Sequence, residues 1–166
     1  MAFESYSSDR AVVVGLGNEL FGDDGVGIHV LRELETRGLP PATTLIEAGT
    51  AVDALWDELT EADRVIVVDA VEGGAEPGSV YRYRYDECPE SGGASLSGHE
   101  VGLRDKLVAL ELMGSTLPEI VVIGVEPERV ELGLGLSEKV AQRIPAVADL
   151  VIEEVNRPPA TVRTEH

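Results

Sequence analysis

Three acidic residues follow three predicted strands and could together bind a divalent cation. Asp24 comes after the segment AVVVGLG, Glu47 ends TLIEAG, and Asp69 ends RVIVVDAV. The carboxyl ends of strands in an open parallel sheet border the crevice where ligands bind, so we expect the three carboxylates to share one small volume. Crowded carboxylates repel one another, and a divalent cation between them turns that repulsion into attraction. The sequence therefore predicts a metal pocket at this edge of the sheet.

A histidine completes the predicted ligand set. His99 stands where a glycine- and serine-rich loop, residues 86–98, meets a predicted helix. Oxygens from Asp24 and Asp69 and a nitrogen from His99 would leave coordination positions open, as in working rather than closed structural metal sites. These ligand types suit zinc and nickel equally, so the residues alone do not name the metal.

Each of these residues also has a purely structural interpretation. Asp23 and Asp24 could cap the helix that follows them, since aspartate is a preferred N-cap residue. Asp69 could accept hydrogen bonds from turn amides, and His99 could cap its own helix. The metal hypothesis is favoured because a parallel sheet brings the three positions to one edge.

The order of strands and helices predicts an α/β fold. Apolar runs typical of buried strands alternate with segments of helical periodicity along the whole chain. We therefore expect a three-layer α/β/α domain, with a mostly parallel twisted sheet of about five strands and helices on both faces. The segment VYRYRY alternates tyrosine with arginine and is predicted to be an antiparallel edge strand. The last helix is expected to bend at Pro145.

The length and the chain end set the domain boundaries. At 166 residues the chain fits one domain. The polar, proline-containing end RPPATVRTEH has no apolar period and is expected to be a flexible tail. The prediction is a single domain over residues 1–156 and a tail over residues 157–166.

Composition and charge limit the partners. Lys and Arg number 13 against 31 Asp and Glu, a formal net charge of −18 that repels phosphate backbones and anionic lipid. We therefore expect neither nucleic acid nor a membrane as a partner. Cys88 is the single cysteine, so no internal disulfide can form. No secretory signal is recognisable and no apolar run approaches the about 20 residues of a membrane span, which predicts a cytoplasmic protein.

Several enzyme classes fit the motifs poorly. GLGNELFG matches the dinucleotide fingerprint only in part, because the third glycine is missing and two aspartates stand where a pyrophosphate needs bare amides. A nucleotide-dependent oxidoreductase is therefore the third choice. No GxSxG motif occurs, HEVGL stops short of HExxH, and Cys88 has acidic neighbours that disfavour a thiolate nucleophile.

Five motifs in chain order resemble one known family. They are GLGNELFGDDGVG, EAGTAV, VVDAV, SGHEVGL and GVEPERVELGLGLSEKV, and they run from about Val12 to Val155. The chain resembles the hydrogenase maturation endopeptidases. The resemblance implies a monomeric enzyme that removes a C-terminal peptide from the large-subunit precursor of a nickel-iron hydrogenase after nickel insertion.

The resemblance also implies roles for individual residues. The nickel-recognising residues of the family fall on Asp24, Asp69 and His99, and the nickel would arrive with the precursor instead of being a permanent cofactor. Our hypothesis is that these three residues hold the metal while Glu47 positions a water or accepts its proton. The alternative is a non-catalytic nickel-binding module or hydrogenase-assembly chaperone that uses the same pocket.

Overall fold

Strands and helices alternate along the chain. This computed structural model describes residues 9–49, 56–85 and 98–158, and for Trp56 and residues 98–103 it describes the backbone alone. The strands are Ala11–Leu16 (β1), Thr43–Gly49 (β2), Arg64–Ala70 (β3), Val80–Arg84 (β4) and Glu119–Val125 (β5). The helices are Val26–Glu35 (α1), Trp56–Glu61 (α2), Gly98–Leu112 (α3), Glu138–Ala141 (α4) and Ile144–Asn156 (α5). A 3₁₀ turn, Gly22–Gly25, precedes α1.

Within the described ranges the strands form one sheet in the order β2-β1-β3-β5-β4. The pairs β1·β2, β1·β3 and β3·β5 are parallel, whereas β4 runs antiparallel to β5 at the edge. The predicted mostly parallel sheet with an antiparallel edge strand is confirmed. The chain passes from β1 to β2 on one side and then to β3 on the other, so the topological switch point lies between the carboxyl ends of β1 and β3.

Residue alternation along the strands divides the core into two layers. Val12, Val14, Val65 and Val67 pack with Leu59 of α2 and with Leu107 and Leu110 of α3, on what we call the α3 face. Val13, Ile66 and Val68 pack on the opposite side with apolar residues of α1, α4 and α5, on what we call the α1 face. Because successive side chains of a strand point to opposite faces, this two-sided apolar pattern requires helices on both sides. The three-layer prediction is confirmed.

The prediction of one last helix that bends at Pro145 is wrong, because two separate helices occupy this segment. The first, α4, ends at Ala141, and α5 begins at Ile144 with Pro145 in its first turn. Proline is favoured at that position because the first amides of a helix have no intrahelical acceptor.

Arg64 fixes the end of α5 to the amino-terminal edge of the sheet. Its side chain is buried, and it donates hydrogen bonds to the carbonyl oxygens of Glu154 at 2.8 Å and Arg157 at 2.7 Å. Arg157 in turn pairs with Glu119 of β5. Residues 159–166 lie outside the described residues, so the flexible tail stays a prediction. Over the ranges that the structure covers, we find no helix with the length and apolar character needed to cross a bilayer.

Candidate active site

Asp69 occupies a buried position at the carboxyl end of the central strand. It precedes the last residue of β3, and its side chain is 0 % exposed. Because Val65 and Val67 lie on the α3 face, the alternation of β3 places Asp69 on that face as well. One carboxylate oxygen, Oδ1, accepts the amide N–H of Ala70 at 2.8 Å. This bond fixes the direction of the carboxylate.

Asp24 lies in the 3₁₀ turn that follows β1. Its Oδ2 accepts the amide N–H of Asn18 at 2.9 Å, and its own amide donates to the carbonyl oxygen of Phe21 at 3.2 Å. The side chain of Asn18 accepts the amide of Leu20 at 3.0 Å. These local bonds close the loop after β1 and orient the Asp24 carboxylate.

Gly17 brings the two aspartates together. Its φ of +117° lies in the region that favours glycine. A Cβ atom there would stand 1.9 Å from the backbone oxygen of Asp24 and 3.6 Å from Oδ1 of Asp69. Both aspartates therefore have atoms within 4 Å of one point at the switch point between β1 and β3, and only a residue without a side chain fits between them.

The third predicted ligand, His99, belongs to the first turn of α3. That helix packs through Leu107 and Leu110 on the α3 face, the face that also holds Asp69. The side chain of His99 lies outside the described residues, as do residues 86–97 of the loop before it, including Cys88. Among the side chains that are described, no three His, Cys, Asp or Glu residues group closely enough to hold a metal ion. The role of His99 stays a prediction.

Glu47 lies on the other face of the sheet from Asp69, and its predicted place in one volume with the two aspartates stays a prediction. Leu45 packs on the α1 face, so alternation along β2 places Glu47 on that face, opposite to Asp69. In addition, β1 separates β2 from β3. The Glu47 side chain is 44 % exposed, and its Oε1 lies 3.7 Å from Nε of Arg32 in α1.

Glu47 instead lines a neighbouring cavity of about 310 Å³. Gly17, Asn18 and Glu19 line the same cavity, so it adjoins the loop that carries Asp24. Arg32 donates to both carboxylate oxygens of Glu19, at 2.8 and 3.0 Å. This bond from Arg32 lowers the pKa of Glu19 below its usual value. The guanidinium of Arg32 thus offsets negative charge at the cavity wall.

Asp23 has a role that the sequence did not indicate. Its carboxylate is fully buried and accepts four hydrogen bonds, from the Ser137 amide and hydroxyl (both 2.7 Å), the Glu128 amide (2.9 Å) and the Arg129 amide (3.0 Å). Burial alone would raise the pKa of Asp23, but the bonds from Ser137, Arg129 and Glu128 outweigh it and hold this pKa below its usual value. Asp23 therefore ties the loop of residues 128–137 to the turn that carries Asp24.

The interpretation of Asp23 and Asp24 as helix caps is wrong. The N-cap of α1 is Gly25, and no described side chain caps its first turn. Two adjacent acids before a glycine look alike in sequence, and only the packing shows that Asp23 points inward.

Glu126 is a second residue that the sequence analysis missed. Its carboxylate accepts the amides of Gly73 at 2.7 Å and Gly74 at 3.0 Å, and the hydroxyl of Tyr81 lies 3.3 Å away. These bonds hold the turn that follows β3, a few residues beyond Asp69. Its position directly after β5 in the motif GVEPE was the available signal.

Most of the chain is similar to known hydrogenase maturation proteins. The family model described as hydrogenase maturation protease, HycI, matches residues 28–154. The hydrogenase expression/formation protein HupD of Bradyrhizobium diazoefficiens is 35% identical over 152 residues, which cover 90% of this chain and 79% of the relative.

Two solved structures agree with this assignment. The hydrogenase maturating endopeptidase HybD from Escherichia coli superimposes with a TM-score of 0.79 at 30% identity, covering 88% of this chain and 91% of that one. The NiFe hydrogenase maturation protease HybD from Thermococcus kodakarensis gives a TM-score of 0.76 at 26% identity, covering 89% and 99%. The protein is a peptidase. It belongs to the HycI family of hydrogenase maturation proteases.

Proposed function

We propose that this peptidase removes a C-terminal peptide from the large-subunit precursor of a nickel-iron hydrogenase, and that nickel already bound in the precursor is its recognition signal. The observation that carries the proposal is the approach of the Asp24 backbone and the Asp69 carboxylate to Gly17 at the switch point of the sheet. The similar Thermococcus structure, named as a NiFe hydrogenase maturation protease, supports the choice of substrate class.

The donor set fits nickel delivered by the substrate. Asp24 and Asp69 would offer carboxylate oxygens and His99 an imidazole nitrogen, and this mixture suits a borderline divalent metal. A Cβ at Gly17 would collide with the backbone carbonyl of Asp24 and stand 3.6 Å from Oδ1 of Asp69, so glycine lets the Asp24 turn approach the end of β3. Held between these side chains and ligands of the precursor, the nickel would anchor the substrate and supply a Lewis acid.

The protein's own residues would contribute orientation and proton transfer. The Asn18 amide and the Ala70 amide already aim the two carboxylates, so little reorganisation would accompany binding. In peptide hydrolysis the water oxygen bonds to the carbonyl carbon, the C–N bond breaks, and the leaving nitrogen gains a proton. We propose that Glu47, from the cavity beside Gly17, positions this water or accepts its proton.

A turnover assay tests the function. Purified protein is incubated with nickel-loaded and nickel-free precursor, and the released peptide is followed by mass spectrometry. We expect many precursors cut per protein molecule with nickel and none without it, since a non-catalytic chaperone would not turn over. Asp69→Ala, and the size-matched Asp69→Asn, should each lower kcat/KM by about 100-fold or more because the substrate is misplaced. The exposed control Asp149→Asn should cleave at the wild-type rate, and undiminished cleavage by Asp69→Ala would remove the proposal.

We also propose that the protein acts as a monomer in the cytoplasm. Its acidic surface and single cysteine support this state. Sedimentation velocity and cell fractionation are the measurements that test it.

A further inference from the structure

Five of the eight large apolar side chains that stand exposed in the described ranges gather beside the candidate active site. They come from two segments far apart in the chain, and we call them the apolar ridge: Leu20, Phe21, Val130, Leu132 and Leu134. Leu132 and Leu134 are each 79 % exposed, and Leu20 is 52 % exposed. Contiguous exposed apolar groups on a soluble domain commonly mark an interaction site.

Backbone pairing holds the two halves of the ridge together. Phe21 and Gly133 form a parallel bridge, in which the Gly22 amide donates to the Gly133 carbonyl at 2.9 Å and the Gly133 amide donates to the Leu20 carbonyl at 2.8 Å. The four bonds to the Asp23 carboxylate fix the second segment at both of its ends, at residues 128–129 and at Ser137. The exposed leucines therefore stand on a fixed backbone and are not the result of a frayed loop.

The ridge is continuous with the predicted ligand site. Leu20 and Phe21 lie in the loop between Asn18, whose amide binds the Asp24 carboxylate, and Asp24 itself. The ridge therefore adjoins the loop that carries Asp24. A protease that accepts one precursor needs binding energy from contacts outside the scissile bond, and the ridge offers apolar surface at the right place.

Charge and size indicate what kind of surface would cover the ridge. Its borders carry the acids Glu19, Glu128 and Glu131, of which Glu19 is paired with Arg32 and Glu131 with Arg129. Because the chain as a whole has a net charge of −18, a covering segment with basic residues at its margins is favoured. Five side chains are far fewer than the roughly 20–30 residues a side of a stable interface. This size fits the apolar centre of a transient enzyme–substrate contact better than a permanent dimer.

We infer that the apolar ridge is the docking surface for an apolar, basic-flanked segment of the hydrogenase large-subunit precursor, next to the peptide that is removed. The inference rests on the proposed function for the identity of the partner. The ridge would supply substrate affinity, and the aspartates beside it would supply recognition of the metal-bearing end.

A paired variant tests the ridge against a matched control. Leu132→Ser/Leu134→Ser removes the two most exposed ridge side chains, and Leu112→Ser/Met113→Ser removes two equally exposed apolar side chains, 83 % and 70 %, at the end of α3. We expect the ridge variant to lose about tenfold in kcat/KM for nickel-loaded precursor, mainly through a higher KM, because buried apolar anchors dominate interface affinity. The control should stay within about twofold of wild type, and melting curves should show both variants folded.

Binding measured separately distinguishes this inference from the proposed function. If the wild-type protein binds immobilised precursor without cutting it, and the ridge variant binds about tenfold more weakly, the ridge is supported and the cleavage proposal fails. If the wild-type protein cuts the precursor and the ridge variant cuts and binds equally well, the ridge inference alone is overturned. A wild-type dimer that the ridge variant dissociates, with unchanged precursor kinetics, would assign the ridge to a second copy of the chain and also overturn it.

Discussion

Removing the buried carboxylate of Asp23 should destabilise the fold strongly, because this carboxylate accepts four hydrogen bonds. In Asp23→Ala, three backbone amides, those of Glu128, Arg129 and Ser137, and the Ser137 hydroxyl lose their acceptor. Each buried donor left unpaired costs about 1–3 kcal/mol. Water entering the space offsets part of this cost, so we expect the free energy of unfolding to fall by about 3–5 kcal/mol.

Asp23→Asn should lose less, because an amide oxygen can take the place of Oδ2. In the wild type Oδ2 accepts three of the four bonds, and in the variant only the Ser137 amide would face the new side-chain NH₂ group. We expect a loss of about 1–2 kcal/mol. The control Asp149→Ala removes an ion pair with Arg37 from a side chain that is 70 % exposed, and it should cost less than about 1 kcal/mol.

Urea denaturation with linear extrapolation measures all three variants on one scale, and calorimetry should show a melting temperature lower by about 6–20 °C for Asp23→Ala. The pH profile adds a second test. Because the pKa of folded Asp23 lies below the ordinary 3.8, its contribution is present above that value and is lost as pH falls through the folded pKa. The acid limb of stability should therefore flatten in Asp23→Asn. An Asp23→Ala variant no less stable than Asp149→Ala would refute the role assigned to this carboxylate.

Three further predictions concern other positions. Gly17→Ala would place a Cβ 1.9 Å from the Asp24 carbonyl oxygen at a φ of +117°, so the rate of precursor cleavage should fall about 100-fold or more. The control Gly38→Ala should leave cleavage unchanged, because no atom lies within 4 Å of the added Cβ. Arg64→Met should lower the free energy of unfolding by about 2–4 kcal/mol in urea titrations, because the carbonyls at the end of α5 lose their buried donor, and a loss under about 0.5 kcal/mol would contradict that role. Burial and the nearby positive charge of Arg32 lower the pKa of His29 below 6.5. The free energy of unfolding should therefore decline as pH falls through that value, and His29→Gln should remove this decline.

The sequence by itself determined the architecture because the information for it is local. Period-two and period-3.6 apolar patterns predicted the sheet and its flanking helices, and the alternating tyrosines of VYRYRY predicted the antiparallel edge strand. The five motifs in chain order predicted the family, which the match over residues 28–154 confirms. The architecture needs only the spacing of residues along a segment, whereas the family was inferred from the resemblance of the motifs to a known family.

The arrangement of the site depended on the tertiary structure. Which face of the sheet each acid occupies follows from strand parity and strand order, and these separate Glu47 from Asp69 although both end a strand. The inward turn of Asp23 depends on a loop more than a hundred residues away in the chain. Gly17 meets two aspartates, and the Leu20 carbonyl accepts the Gly133 amide, only because the fold closes there. Such long-range contacts leave no periodic signal in a single sequence, so folding and packing alone decide them.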